Sequence, residues 1–233
     1  MSDTSSSRRE ATLHEVLEAL RASTSETLPL ESRCALCILV QRSMTRSLRA
    51  FFAEYVNDLE VRVAFRKARG FCPEHTPLLA SLGDALAVAI LYRDLAEQTE
   101  ARWQSGARTR RRARWLGGRE ASGICPACVA AREANRRYAG ALAAGLVEES
   151  VWEVLEQSAG LCVAHGEQVR DAAQPAHAER LRRLEIERLK TLRAELESFI
   201  RKNDYCFRDE PWGMERDAWK RALYKLMRPR DTP

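Results

Sequence analysis

One pattern limits what this chain can fold into more than any other: a C-x-x-C followed later by a C-x-x-H, written twice. Cys34 and Cys37 recur 91 positions on as Cys125 and Cys128, and Cys72 and His75 recur 90 positions on as Cys162 and His165. The surroundings repeat as well, since Gly70-Phe71-Cys72 matches Gly160-Leu161-Cys162. Self-similarity at a fixed separation marks two copies of one supersecondary unit. Cysteines that merely pack a core have no reason to keep ligand spacing in both copies.

Six of the seven cysteines and two of the four histidines fall in these motifs, so the candidate metal ligands are Cys34, Cys37, Cys72, His75, Cys125, Cys128, Cys162 and His165. They form two Cys3His sets, and tetrahedral zinc is satisfied by three thiolates and one imidazole. The expectation is two zinc ions per chain in structural sites, because a catalytic zinc keeps a coordination position for water and each set already offers four protein donors. An iron–sulfur cluster is the main alternative, since three thiolates and one other ligand can hold one. A thiol redox role suits Cys125-Pro126-Ala127-Cys128 superficially, yet no βαβ pattern surrounds it. A set of uncoordinated, buried thiols is the plainest reading and leaves the recurring spacing unexplained. No catalytic residue is assigned: Glu74 is a conceivable base between Cys72 and His75, but Ala164 stands in its place in the second copy. Cys206, His14 and His177 have no counterpart in the repeat and receive no role.

Ala, Leu, Arg and Glu dominate while Gly and Pro are sparse, so an all-α chain is expected with no sheet of consequence. In each copy the C-x-x-C opens a helix, over 36–56 and 127–146, followed by a short amphipathic helix over 59–69 and 149–159 that ends at a glycine. The C-x-x-H then starts a third helix, with Pro73 at its first position. In the first copy this helix is expected to be long, with Leu78, Leu82, Leu86 and Ile90 forming a core-facing stripe that runs towards Trp103. In the second it is interrupted near Pro175 and resumes as a rod over 178–202, with Leu181, Leu184, Leu192, Leu196 and Phe199 inward. A last short helix spans 215–227, with Trp219, Leu223 and Leu226 on one side. Each copy is expected to close its own metal site, but the geometry is tight. A first helix of about 20 residues spans ~30 Å, whereas a return helix of about 10 covers only ~15 Å. Pairing the C-x-x-C of one copy with the C-x-x-H of the other gives the same donor count, and both pairings stay open.

The expected organisation is a disordered N-terminus over 1–11, a first helical repeat over 12–104, an arginine-rich linker over 105–122 and a second repeat with C-terminal helices over 123–228. Net charge is +5, with both signs interspersed as on solvated helix faces. Only the linker departs from this, with Arg108, Arg110, Arg111, Arg112, Arg114 and Arg119. Nucleic-acid binding there is an alternative function, weakened because no aromatic platform accompanies the arginines. The polar N-terminus has no apolar core, and the longest apolar run, Ala85 to Tyr92, is far shorter than the ~20 residues of a membrane span. With seven cysteines, an odd number, a reducing, cytoplasmic setting is expected.

The two motif sets, together with Gly70-Phe71-Cys72-Pro73-Glu74-His75 and the closing Phe199-Ile200-Arg201-Lys202-Asn203-Asp204-Tyr205, resemble an uncharacterised bacterial domain-of-unknown-function family, number 6062. The likeness runs from about Ser32 to Tyr224. It implies the duplicated helical architecture and brings no activity, substrate or partner with it. The expected role is a non-enzymatic binding or scaffold protein with an unknown protein partner and no membrane.

Overall fold

The computed structural model describes residues 3–23, 34–82, 84–105, 124–207 and 209–227. All regular structure among them is helical: α1 (Asp3–Ala22), α2 (Ala35–Glu54), α3 (Leu59–Ala68), α4 (Thr76–Leu82), α5 (Ala85–Gln104), α6 (Pro126–Gly145), α7 (Glu149–Gln157), α8 (Val163–Ala172), α9 (Pro175–Lys202) and α10 (Ala218–Leu226), the last preceded by a 3-10 turn over Met214–Asp217. Among the described residues no helix is long and apolar enough to cross a membrane. The arginines of the linker lie outside the described residues.

Contacts divide the chain into two compact units that do not coincide with the repeats. One comprises Met1–Gln41 and Glu133–Pro233, the other Arg42–Arg132. The chain enters the second unit within α2 and leaves it within α6.

In the first unit, Val16 and Leu20 of α1, Leu36 and Leu39 of α2, and Tyr138 and Leu142 of α6 bury their side chains with Leu146, Trp152, Leu155 and Leu161. Trp152 is 1% exposed, and its indole N–H donates to the Leu146 carbonyl at 2.8 Å, so the one polar atom of the ring is satisfied inside the core. Pro175 occupies the first turn of α9, where its missing N–H costs nothing, and the helix therefore starts three residues earlier than its apolar stripe suggests. Leu181 and Leu192 are buried as the stripe predicts.

In the second unit, Phe51, Phe52, Phe65, Phe71 and Tyr92 form a chain of ring contacts with centroids 5.4–6.2 Å apart. Asp58 caps α3, its carboxylate accepting from the backbone N–H groups of Glu60 and Val61. The helix ends on left-handed Arg69 (φ 60°) and Gly70 (φ 86°), with the Gly70 N–H bonded back to the Phe65 carbonyl. Within α5, Asp94 is buried and receives Arg62, whose guanidinium holds its carboxyl below the usual range.

Three sequence expectations are corrected. The long third helix of the first repeat is two helices, because Asp84 caps a new start by accepting from the Ala87 N–H at 2.9 Å. The face that α5 buries is Ala87, Leu91 and Asp94, while Leu86 and Trp103 are 74% and 80% exposed, so the expected stripe is off by one residue. At the other end α1 begins at Asp3, within the stretch expected to be disordered; a polar composition does not bar a helix rich in Arg, Glu and Ala.

Two glycines should respond oppositely to alanine. Gly160 lies at φ +84°, and a Cβ there would run into the Arg188 guanidinium. Gly160→Ala is therefore expected to lower stability by about 1–3 kcal/mol. Gly140, inside α6 with open space around it, should gain about 0.5–1 kcal/mol from the same change. Urea unfolding of the two variants checks both signs.

Candidate metal centres

The eight predicted residues come together as two groups of four: Cys34, Cys37, Cys162 and His165 in one, and Cys72, His75, Cys125 and Cys128 in the other. Pairing within a copy, the first expectation, is overturned. Each group joins the C-x-x-C of one repeat to the C-x-x-H of the other. Helix rise accounts for the difficulty: α2 has 20 residues and α3 only 10, so a return of ~15 Å leaves Cys72 short of the start of a ~30 Å helix unless the three residues before it make up the difference.

All four motifs sit at helix starts. Cys34 and Cys125 stand just before α2 and α6, and their carbonyls accept the first helical bonds, from Ile38 and Val129. Cys162 is the N-cap of α8, and the Cys72 carbonyl accepts from both His75 and Thr76 at the turn into α4. Sulfur at a helix N-terminus faces the positive end of the dipole, which favours thiolate. Gly160 and Gly70, both with positive φ, let the chain turn sharply two residues before Cys162 and Cys72.

The distances have the lengths of tetrahedron edges. In the first group the His165 Nδ1 lies 3.5, 3.3 and 3.1 Å from the sulfurs of Cys34, Cys37 and Cys162, and the Cys37 and Cys162 sulfurs are 3.8 Å apart. In the second, His75 Nδ1 lies 3.1, 3.8 and 3.5 Å from Cys72, Cys125 and Cys128, and Cys72 and Cys128 are 3.8 Å apart. Four donors on a tetrahedron with Zn–S of about 2.3 Å and Zn–N of about 2.05 Å have S···S edges of ~3.8 Å and S···N edges of ~3.5 Å. Disulfides would need ~2.05 Å, and all seven cysteines are free.

Charge in the first group points the same way. Burial opposes thiolate at Cys34, yet hydrogen bonds from Cys162, Cys37 and His165 outweigh it and bring the thiol well below its usual range. Burial likewise opposes imidazolium at His165, but its bonds to Cys162 and Cys34 carry it up to about 10. Cys37 goes the other way: its hydrogen bonds with Cys162 and Cys34, and then its burial, push the thiol up. A second thiolate has no compensating charge inside the cluster, and a divalent cation would supply it. In the second group burial, joined by the nearby Cys125 sulfur, raises Cys72.

The groups differ in their surroundings. Cys34, Cys162 and His165 are buried at 9%, 1% and 2% exposure, and the His165 Nε2–H is directed at Asn135 Oδ1, 2.7 Å away. That bond leaves Nδ1 free as the donor atom. The loop leading to Cys162 is clamped by two cations: Arg188 donates to the Leu155 and Ser158 carbonyls at 2.7 and 3.1 Å, and Lys225 to the Leu161 carbonyl at 2.6 Å. A cleft of about 480 Å³ beside this group is lined by Cys37, Arg188, Arg221 and Lys225 among others. Its cations are paired with Glu185, Glu195 and Asp217. In the second group only Cys125 is buried, while Cys72, His75 and Cys128 are half-buried. Met44 stands as far after Cys37 as Asn135 does after Cys128, and it carries only a thioether.

Sequence reasoning missed Asn135, Arg188 and Lys225. The amide sits on the buried side of α6 between apolar residues, which is the signal that could have found it; the two cations look like any others on charged amphipathic helices. Cys206 lies in an exposed turn outside both groups, His14 pairs with Glu18, and His177 packs on Trp152.

Fold and site together define a duplicated, all-helical protein with paired Cys3His groups that could each hold one metal ion. The chain belongs to the family described as a family of unknown function (DUF6062), whose model matches residues 2–104 and again 92–232. A relative from Caldicellulosiruptor sp. (strain Rt8B.4), the uncharacterized 23.9 kDa protein in the xynA 3' region, is 46% identical over 65 residues, which is 28% of this chain and 32% of that protein. The match thus spans about a third of the relative's length. No solved structure matches.

Removing the amide should weaken the first group alone. Asn135→Ala is expected to lower its metal affinity on the order of 10- to 100-fold, as loss of such a histidine partner commonly does. Competition with a chromophoric zinc chelator should then show two separated affinities, the weakened one lost in a Cys162→Ser background.

Proposed function

We propose that this protein is a zinc protein in which two mononuclear Cys3His ions staple helix starts together, serving a non-enzymatic binding or scaffold role. The observation that carries this reading is the closeness of three sulfurs and one imidazole nitrogen in each group, with one S···S separation of 3.8 Å in each. A [2Fe–2S] or [4Fe–4S] cluster spreads its ligands over several irons, whereas these donor atoms all lie within 4.8 Å of one another, compact enough for one ion. Three soft sulfurs and one imidazole in a tetrahedron suit zinc. Four protein donors leave no coordination position for a substrate or water, which favours a structural over a catalytic ion. Thiols that must stay reduced to bind fit a cytoplasmic setting. An unidentified protein is the proposed partner. The repeats, 12–104 and 123–228, are proposed as the inherited units of sequence.

Magnitude separates a structural metal from an incidental one. An ion at a thousandfold above its Kd adds about 4 kcal/mol to the folded state, a large share of a typical stability of about 5–15 kcal/mol. Protein purified without chelator is expected to hold close to two zinc ions. Cys162→Ser and Cys72→Ser should each lose one and melt on the order of 10 °C lower, with hydrogen exchange rising first in the unit that holds the altered group. Elemental analysis and circular dichroism melting read these outcomes. Brown protein carrying iron and sulfide, or a variant that loses one ion at unchanged melting temperature, would contradict the structural-zinc reading.

A further inference from the structure

The two groups carry the same donors but not the same protection. Resting on the two-zinc reading, we infer that the Cys72, His75, Cys125, Cys128 centre is an oxidant-sensitive metal switch, while the Cys34, Cys37, Cys162, His165 centre holds its ion permanently.

Peroxide must reach a sulfur before it can oxidise it, and a second sulfur must be near enough to complete the bond. In the second group the close pair, Cys72 and Cys128 at 3.8 Å, consists of two half-buried residues. In the first group the close pair is Cys37 and Cys162; both line the cleft, but Cys162 is 1% exposed. An attack at Cys37 would have to be completed by a sulfur on a loop held by Arg188 and Lys225. The matching loop before Cys72 has the side chains of Leu95, Phe65 and Tyr92 beside Gly70 and no cation among them. His165 is fixed by Asn135; among the described residues no hydrogen-bond partner occupies Nε2 of His75.

The step balances with hydrogen peroxide as oxidant. One thiolate attacks a peroxide oxygen, giving a sulfenic acid and hydroxide. The second thiolate then displaces hydroxide from that sulfur, so the pair is oxidised to the Cys72–Cys128 disulfide while peroxide is reduced to two hydroxide ions. The ion, left with Cys125 and His75, departs. A thiol reductant reverses the sulfur chemistry by exchange and restores the site.

The test uses full-length protein carrying Cys206→Ser, which removes the exposed spare thiol, loaded with two equivalents of zinc. Hydrogen peroxide is added in the presence of a chromophoric zinc chelator, and disulfides are mapped by mass spectrometry of proteolytic peptides. The inference predicts that one zinc leaves on the order of tenfold or more faster than the other, in step with a Cys72–Cys128 disulfide, and rebinds after reduction. Release of both ions at one rate, first release with oxidation of Cys37, or retention of both ions under excess peroxide would overturn the switch and leave the two-zinc reading standing. Failure of the unoxidised protein to hold two zinc ions would overturn both.

Discussion

Everything in this structure depends on bringing three sulfurs and one imidazole nitrogen to within 4.8 Å of one another, and an α-helix makes that hard to do locally. A C-x-x-C at the start of a 20-residue helix leaves the chain ~30 Å away when the helix ends. The 10-residue helix that follows recovers only half of that. The second pair of donors in the same repeat is left short of the first, and the partner comes from elsewhere in the chain. Duplication supplies it: each repeat delivers its C-x-x-C to one group and its C-x-x-H to the other. Neither copy closes a site alone, so the repeats form a pair in which both copies are required.

Once the pairing is set, the two groups are free to diverge. The first sits in a core with Leu36, Leu142 and Leu161, and it recruits Asn135, Arg188 and Lys225 to fix its imidazole and its cysteine loop. The second lies beside an aromatic cluster and keeps three of its four donors half-buried. Burial and hydrogen bonding, rather than the identity of the four side chains, are what distinguish the two groups.

Much of this was legible in the sequence. Spacing alone singled out the eight residues that the fold gathers into two groups, because repeated C-x-x-C and C-x-x-H intervals have no packing explanation, and composition called the all-helical fold. The pairing was not legible, since it rests on where helices end in space; helix rise flagged the difficulty without resolving it. The break between α4 and α5 was missed because a leucine at every fourth position outweighed a single capping residue, Asp84. Asn135 was missed for a related reason. One polar residue among alanines on a helix acquires meaning only when His165, 30 residues away in sequence, is seen beside it.

Metal counting on paired substitutions tests the cross-repeat arrangement most directly. With Cys34→Ser and Cys162→Ser combined, both changes fall in one group, and the protein should still hold close to one zinc ion. With Cys34→Ser and Cys72→Ser combined, each group loses a sulfur, and close to none should remain. The reverse result, with no zinc in the first double variant and one ion in the second, would show that each repeat closes its own site and would contradict the account.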